Sequence, residues 1–261
     1  MRKSIAIIIT SILVLSGCNK QQSVSDRLLN EVEKAIAINP DSASNLLKSI
    51  SSPEKLDDKA FARWCMLSGK ITDEIFNSIL PTYQLERAYD WYSSHGSPDE
   101  QVQFLIYLGR SYFADGDYDK AMSIYTNALD IAGKNKLNNL IGYTYDYIGD
   151  LYREKFMRTE AIKRYEIAAE YFKKEKNTDS YACALRDIGR EYAQMDSLSH
   201  ALNILIIADS VAANTSNINV TASINNALGN IYSMQNKYDK AEEYLLKALL
   251  TGREKMRDYV A

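Results

Sequence analysis

Glycine recurs in this chain every forty residues, at Gly109, Gly149, Gly189 and Gly229. Three residues after each comes a tyrosine: Tyr112, Tyr152, Tyr192 and Tyr232. Twelve after each is an alanine (Ala121, Ala161, Ala201, Ala241), and seven further on another (Ala128, Ala168, Ala208, Ala248). Four invariant columns in four copies mark one structural unit used repeatedly. Such a chain grows by stacking, because each unit buries its apolar stripe on its neighbours. Within the second half of a unit, Ala121, Ile124, Tyr125, Ala128, Leu129 and Ile131 follow helical spacing. Turn signals such as Asp115-Gly116-Asp117 and Gln235-Asn236-Lys237 separate the helices. With 11 glycines and 4 prolines in 261 residues, all-β folds and Gly-rich phosphate loops are short of turn residues. The pattern predicts an all-α chain of helix-turn-helix units. Gly and Ala remove side chain where helices cross, since an added methylene there costs about 1–3 kcal/mol. Tyr fills the gap between helices and keeps its hydroxyl at the wet edge. The columns Tyr112/152/192/232 and Tyr125/165, with Tyr118 and Tyr238 before the second helices, assign eight of the 19 tyrosines to packing.

Copies such as LGRSYFADGDYDKAMSIYTNALDIA (108–132) and LGNIYSMQNKYDKAEEYLLKALL (228–250) resemble the tetratricopeptide repeat. That unit carries L-G-x-x-Y in its first helix and A…(F/Y)…A in its second. The resemblance implies a right-handed superhelical solenoid, here with a period of 40 rather than 34. The extra length falls at polar joints, Lys134–Asn139, Lys174–Asp179 and Asn214–Asn219. It implies repeats at 102–141, 142–181, 182–221 and 222–261, the last an uncapped end. It also implies a concave groove lined by the first helices, binding a protein or peptide. Carried onto this sequence, the groove positions are Gln103, Ile106, Arg110, Phe113, Tyr143, Asp146, Asp150, Arg153, Arg186, Arg190, Asn226 and Asn230. Two alternatives stand for the charged ones. They grip a ligand carboxylate or extended peptide, or Asp146–Arg186 and Asp150–Arg190 pair with each other. Tyr143 is the tyrosine most worth testing for binding.

Upstream the frame degrades. Gly69, Leu85 and Ala88 still fall on it, but Pro81 stands where Ala121 would be, so the second helix starts later or bends. Residues 58–101 read as a divergent repeat. Ser97-Pro98-Asp99-Glu100 opens the next helix with a cap, a first-turn proline and a capping-box glutamate. Residues 26–57 read as an N-terminal helical cap, with two short helices around Asn39-Pro40-Asp41. The chain stops at the threshold of another repeat, which leads us to expect a fragment of something longer.

The N-terminus is an address. Arg2 and Lys3 precede the apolar run Ile5–Leu15, whose eleven residues make about 16 Å of helix, half a hydrocarbon core. Leu15-Ser16-Gly17-Cys18 resembles the lipobox of bacterial lipoproteins. This implies a signal peptide at 1–17, a lipid on Cys18, and a tether at 18–25. It implies a periplasm-facing protein of the cell envelope, held to the membrane by lipid. Asn19, not being Asp, points to the outer membrane rather than the inner.

Little else carries chemistry. His95 and His200 are far apart and lack neighbours at metal spacing, and no catalytic or phosphate-binding motif occurs. The expectation is a non-enzymatic chain without cofactor or metal. A net charge of -3 argues against nucleic acid as partner. Cys65 and Cys183 lie about three repeats apart, beyond disulfide reach, and are read as small buried hydrophobes. Asp41-Ser42-Ala43, Asp196-Ser197-Leu198 and Asp209-Ser210-Val211 resemble a periplasmic O-glycosylation acceptor, although Asp41-Ser42 also serves as a helix start. The expected function is a lipid-anchored binding scaffold for a protein or peptide. The alternative is the sensor portion of a longer, membrane-spanning transcriptional regulator. Oligomeric state is left open.

Overall fold

A computed structural model describes residues 25–75 and 79–258. Residues 1–24, where the sequence leads us to expect a signal peptide, a lipidated Cys18 and most of a tether, lie outside the described residues. Twelve α-helices are described: α1 (25–36), α2 (Pro40–Lys48), α3 (Asp58–Ile75), α4 (Thr82–His95), α5 (Pro98–Ala114), α6 (Tyr118–Asn135), α7 (Asn138–Glu154), α8 (Arg158–Lys174), α9 (Thr178–Gln194), α10 (Leu198–Ala212), α11 (Ile218–Met234) and α12 (Tyr238–Asp258). Among the described residues there is no strand. The chain divides into two compact units, Met1–Asp117 and Tyr118–Ala261.

In the first unit the helix starts follow local chemistry. The Asn39 side chain accepts from the Ser42 amide at 2.9 Å and caps α2. Ser97 and Glu100 form the reciprocal capping box on α5. α4 begins at Thr82, directly after Pro81. Leu29 and Val32 of α1, Ala43 and Leu47 of α2, and Leu67 and Ile71 of α3 share one core. Arg63 of α3 ties α1 down through Asn30 (2.6 Å) and Glu33 (2.5 Å). A short 3-10 turn, Pro53–Lys55, is clamped by Arg87, which donates to the Glu54 carbonyl at 3.0 Å and lies over the Phe61 ring. Gly69 keeps its place in the frame because the Tyr107 ring stands 2.5 Å from where a Cβ would be. Cys65 is buried, and burial pushes its thiol up to about 12, the Arg87 charge opposing.

In the second unit the columns acquire physical meaning. At Gly149 an added Cβ would stand 2.5 Å from the Tyr165 ring, and at Gly189 2.7 Å from Leu205. Ala161, Ala168, Ala201, Ala208 and Ala241 are buried, as are Ala121 and Ala128, whereas Ala248 is half-buried. Tyr165 is fully buried. Tyr152 and Tyr192 are only half-buried. Each presents its ring to a side chain of the following helix: Tyr152 to Arg164 at 5.6 Å, and Tyr192 stacked on His200 at 5.6 Å. Tyr232 stacks on Tyr244 at 5.4 Å.

The turns inside the repeats obey one rule. Gly116, Phe156, Asp196 and Asn236 all have positive φ, between 56° and 79°. The next residue then donates its amide back to the carbonyl of the column tyrosine: Asp117 to Tyr112, Met157 to Tyr152, Ser197 to Tyr192 and Lys237 to Tyr232, each at 2.9 Å. This is the Schellman closure of a helix C-terminus. The joint between α10 and α11 departs from its counterparts. Leu137 and Asn177 close the earlier joints by donating to Ala132 and Phe172. Here Asp179 of α9 instead accepts from Thr215 and, at 3.0 Å, from Asn217.

Candidate functional site

Most of the groove residues expected from sequence lie in the second unit, on α7, α9 and α11. There the inward faces of α7 and α9 hold a network of charges. Asp150 accepts from Tyr165 Oη at 2.7 Å and pairs with Arg153 at 2.6 Å. Arg186 forks onto Asp187, with Nε at 3.0 Å and Nη2 at 2.6 Å, and reaches across to Ser223 Oγ of α11 at 3.0 Å. Arg190 meets the same Asp187 at 3.3 Å and leaves 46 % of its side chain exposed. Beneath them, Glu191 is 3 % exposed and takes its partner from α8, Arg158 at 2.9 Å.

Neither of the two pairings weighed from sequence forms. Arg186 and Arg190 turn to Asp187 on their own helix, and Asp150 turns to Arg153 on its own. An adjacent carboxylate on a rigid helix outcompetes one on the facing helix. Asp146 is thereby left over. Among the described residues it makes neither an ion pair nor a hydrogen bond, although it is half-buried. Burial pushes its carboxyl well above the usual range, and the Asp150 and Asp187 carboxylates push the same way against Arg186 and Arg153. Asp150 is raised by burial too, with Arg153 and the Tyr165 hydrogen bond opposing. Burial would lower Arg186, but the charge and hydrogen bond of Asp187, together with Cys183 and Asp146, raise the guanidinium. Arg190 is lowered, by desolvation and then by the Arg186 charge.

The other expected groove residues divide. Asn226 and Asn230 stand exposed on α11. Tyr143 is spoken for: its hydroxyl accepts from Ser180 Oγ (2.9 Å) and Asn177 Nδ2 (3.1 Å), and its ring meets Phe172 edge-on at 4.9 Å. It ties α7 to the start of α9. In the first unit, Arg110 pairs with Asp73, Gln103 and Phe113 are half-buried, and Ile106 is buried in the core instead of lining a groove.

Asp187, Glu191 and Arg158 were not among the expected site residues, yet a signal for them exists. Asp187 shares a column with Tyr107, Tyr147 and Ala227, and Glu191 one with Ser111, Leu151 and Ile231. A charge in a column of core residues marks a buried ion that needs a partner. Among the described residues, no His, Cys, Asp or Glu group is placed to hold a metal ion.

Two stretches of the chain, residues 105–138 and 221–256, match family models described as tetratricopeptide repeat. Those two stretches are thus similar to tetratricopeptide repeats. Over 91 residues the chain is 31 % identical to photosystem I assembly protein Ycf3 of Rippkaea orientalis (strain PCC 8801 / RF-1), covering 34 % of this chain and 52 % of that protein. The chain therefore spans about half the length of that relative. Among solved structures, it resembles a Rap protein complexed with competence and sporulation factor, with a TM-score of 0.78 at 19 % identity, covering 91 % of this chain and 68 % of that one. It also resembles BtubC from P. vanneervenii, with a TM-score of 0.61 at 17 % identity and 92 % coverage of both chains. At such identities the likeness is one of fold: all-α, with the repeats of tetratricopeptide solenoids.

Proposed function

We propose that this protein is a non-catalytic scaffold that holds a protein or peptide segment against the first helices of its repeats. The observation that carries this reading is the wall of α7, α9 and α11. It presents a carboxylate without a partner (Asp146), a guanidinium nearly half exposed (Arg190) and two exposed amides (Asn226 and Asn230), all on a rigid stack of helices. Recognition of an extended segment needs such fixed, partly desolvated polar groups. The Rap structure, which holds competence and sporulation factor, and the match to an assembly protein both support a binding role over a catalytic one. The test is a pull-down with Arg190→Ala, Asn226→Ala and Asn230→Ala combined. All three side chains are exposed, so the melting temperature should hold while partner capture falls. Unchanged capture removes the groove from the function.

We further propose that Cys18 carries lipid and anchors the scaffold to the bacterial envelope, facing the periplasm. The lipobox-like Leu15-Ser16-Gly17-Cys18 is its support. Cys18→Ser should release the protein from the membrane fraction, and persistence there sinks the proposal. A second reading makes the repeats the sensor portion of a longer regulator. It rests on α12, where Leu245 is 39 % exposed although Tyr125, Tyr165 and Leu205 of the same column are buried. A further helix packed there would cover it. Among the described residues no helix is long and apolar enough to cross a membrane. Sequencing the gene past the codon for Ala261 decides between the two.

A further inference from the structure

We infer that Asp146 is the anchor for a cationic group of the ligand, the ammonium or guanidinium of a basic residue in a bound peptide. The inference rests on the peptide-groove reading and names what the groove selects. The network contains three carboxylates (Asp146, Asp150, Asp187) and three guanidinium groups (Arg153, Arg186, Arg190), with Glu154 at its rim 3.8 Å from Arg153. Equal numbers would allow three pairs, yet the helices do not form them. Asp150 is filled by Arg153 and the Tyr165 hydroxyl. Asp187 takes both Arg186 and Arg190, and Arg186 spends its remaining reach on Ser223. The carboxylate of Asp146 is left unserved, half-open on the face of α7.

A carboxylate in that position gains from any hydrogen-bond donor and most from a cation, which adds its charge to the bond. Its ionised form is already disfavoured by desolvation and by two neighbouring carboxylates. An incoming cation offsets these costs with its own charge and forms the short charge-assisted bond that a partly buried carboxylate accepts best. Anions are disfavoured there for the same reason. The column supports a chain-specific role. The positions forty residues apart are Ile106, Asp146, Arg186 and Asn226, so the acid is particular to this repeat and belongs to no packing rule.

The test uses the purified full chain and an immobilised library of extended octapeptides, amino-acetylated and carboxy-amidated, with every residue type at each position. Wild type should select Lys or Arg at one position. Asp146→Asn, which keeps the shape, should bind those basic peptides at least tenfold more weakly while binding their Lys→Gln counterparts as wild type does. Asp146→Lys should turn the preference at that position to Asp or Glu. Peptides bound without basic preference, or a preference that survives in Asp146→Asn, overturn the inference and leave the peptide groove standing. No binding of any library peptide by wild type removes the groove reading and the inference together. A melting temperature of Asp146→Asn at or above wild type excludes loss of fold as the cause.

Discussion

Arg158 and Glu191 offer the sharpest energetic test of the network. Glu191 is 3 % exposed, Arg158 has 24 % of its side chain exposed, and they meet at 2.9 Å. In Arg158→Met the aliphatic stem is kept and the charge removed, so the Glu191 carboxylate is stranded in the interior. Stranding one member of a buried pair costs about 3–5 kcal/mol. The partial exposure of Arg158 lets some water reach the site, so the lower end, about 3 kcal/mol, applies. For a chain of this size that is a melting-temperature loss of about 6–12 °C. Glu191→Leu removes the other member and installs the residue found forty positions earlier, Leu151, which is buried. It leaves Arg158 free to turn outward, and so should change stability by less than about 1 kcal/mol. The double variant should recover most of what Arg158→Met loses, giving a coupling energy of about 2–3 kcal/mol. Urea unfolding of the four proteins followed by far-UV circular dichroism measures all three quantities. A cost below about 1 kcal/mol for Arg158→Met, or no rescue by Glu191→Leu, would refute the claim that the buried carboxylate depends on this partner.

Other consequences are as concrete. Gly149→Ala should destabilise by about 1–3 kcal/mol, because its Cβ meets the Tyr165 ring at 2.5 Å. The same change at Gly133, exposed in α6 with nothing within 4 Å of a new Cβ, should stabilise by about 0.5–1 kcal/mol. Equal signs in thermal melts contradict the helix-crossing account. Phe156 holds a left-handed φ of 56° at 79 % exposure, so Phe156→Gly should stabilise by up to about 1 kcal/mol. A drop in melting temperature would show that the ring contributes more than its backbone costs. Asp146 is harder to ionise folded than unfolded, being pressed by burial, Asp150 and Asp187 against Arg186 and Arg153. The folded chain therefore keeps that proton to higher pH, and this group's contribution is lost as pH rises from the ordinary carboxylate range through the raised value. Asp146→Asn should thus melt above wild type at about pH 8, with the gap closing by about pH 4. A gap that widens on acidification reverses the sign and rejects the account.

The repeat was open to inspection because its causes are local and periodic. Gly149 and Gly189 recur where a ring or an isobutyl group must cross a backbone, and Ser97-Pro98-Asp99-Glu100 writes its own cap. The polar joints read from sequence, such as Lys174–Asp179, contain the turns found between the helices. The site was less open. Counting positions places Asp146, Asp150, Arg186 and Arg190 on the first helices of the repeats but does not assign their partners, since that depends on side-chain reach. Asp187 decides the pairing, and it stands at a position that packs a tyrosine in the two preceding copies. The partners of Tyr143 are hidden for a related reason. Its acceptor role depends on Asn177 and Ser180, more than thirty residues away in sequence. Tyr165 likewise joins core and groove through its far end, with its ring over Gly149 and its hydroxyl on Asp150.

The closure of the turns has a practical reach. Each is sealed by the carbonyl of a column tyrosine and a left-handed residue, and four unlike residues, Gly116, Phe156, Asp196 and Asn236, fill the same place. The side chain there is not what aligns the two helices. The corners at Phe156, Asp196 and Asn236 are accordingly the ports of the second unit, where a dye, an epitope or a second module can be attached with the flanking helices still in register.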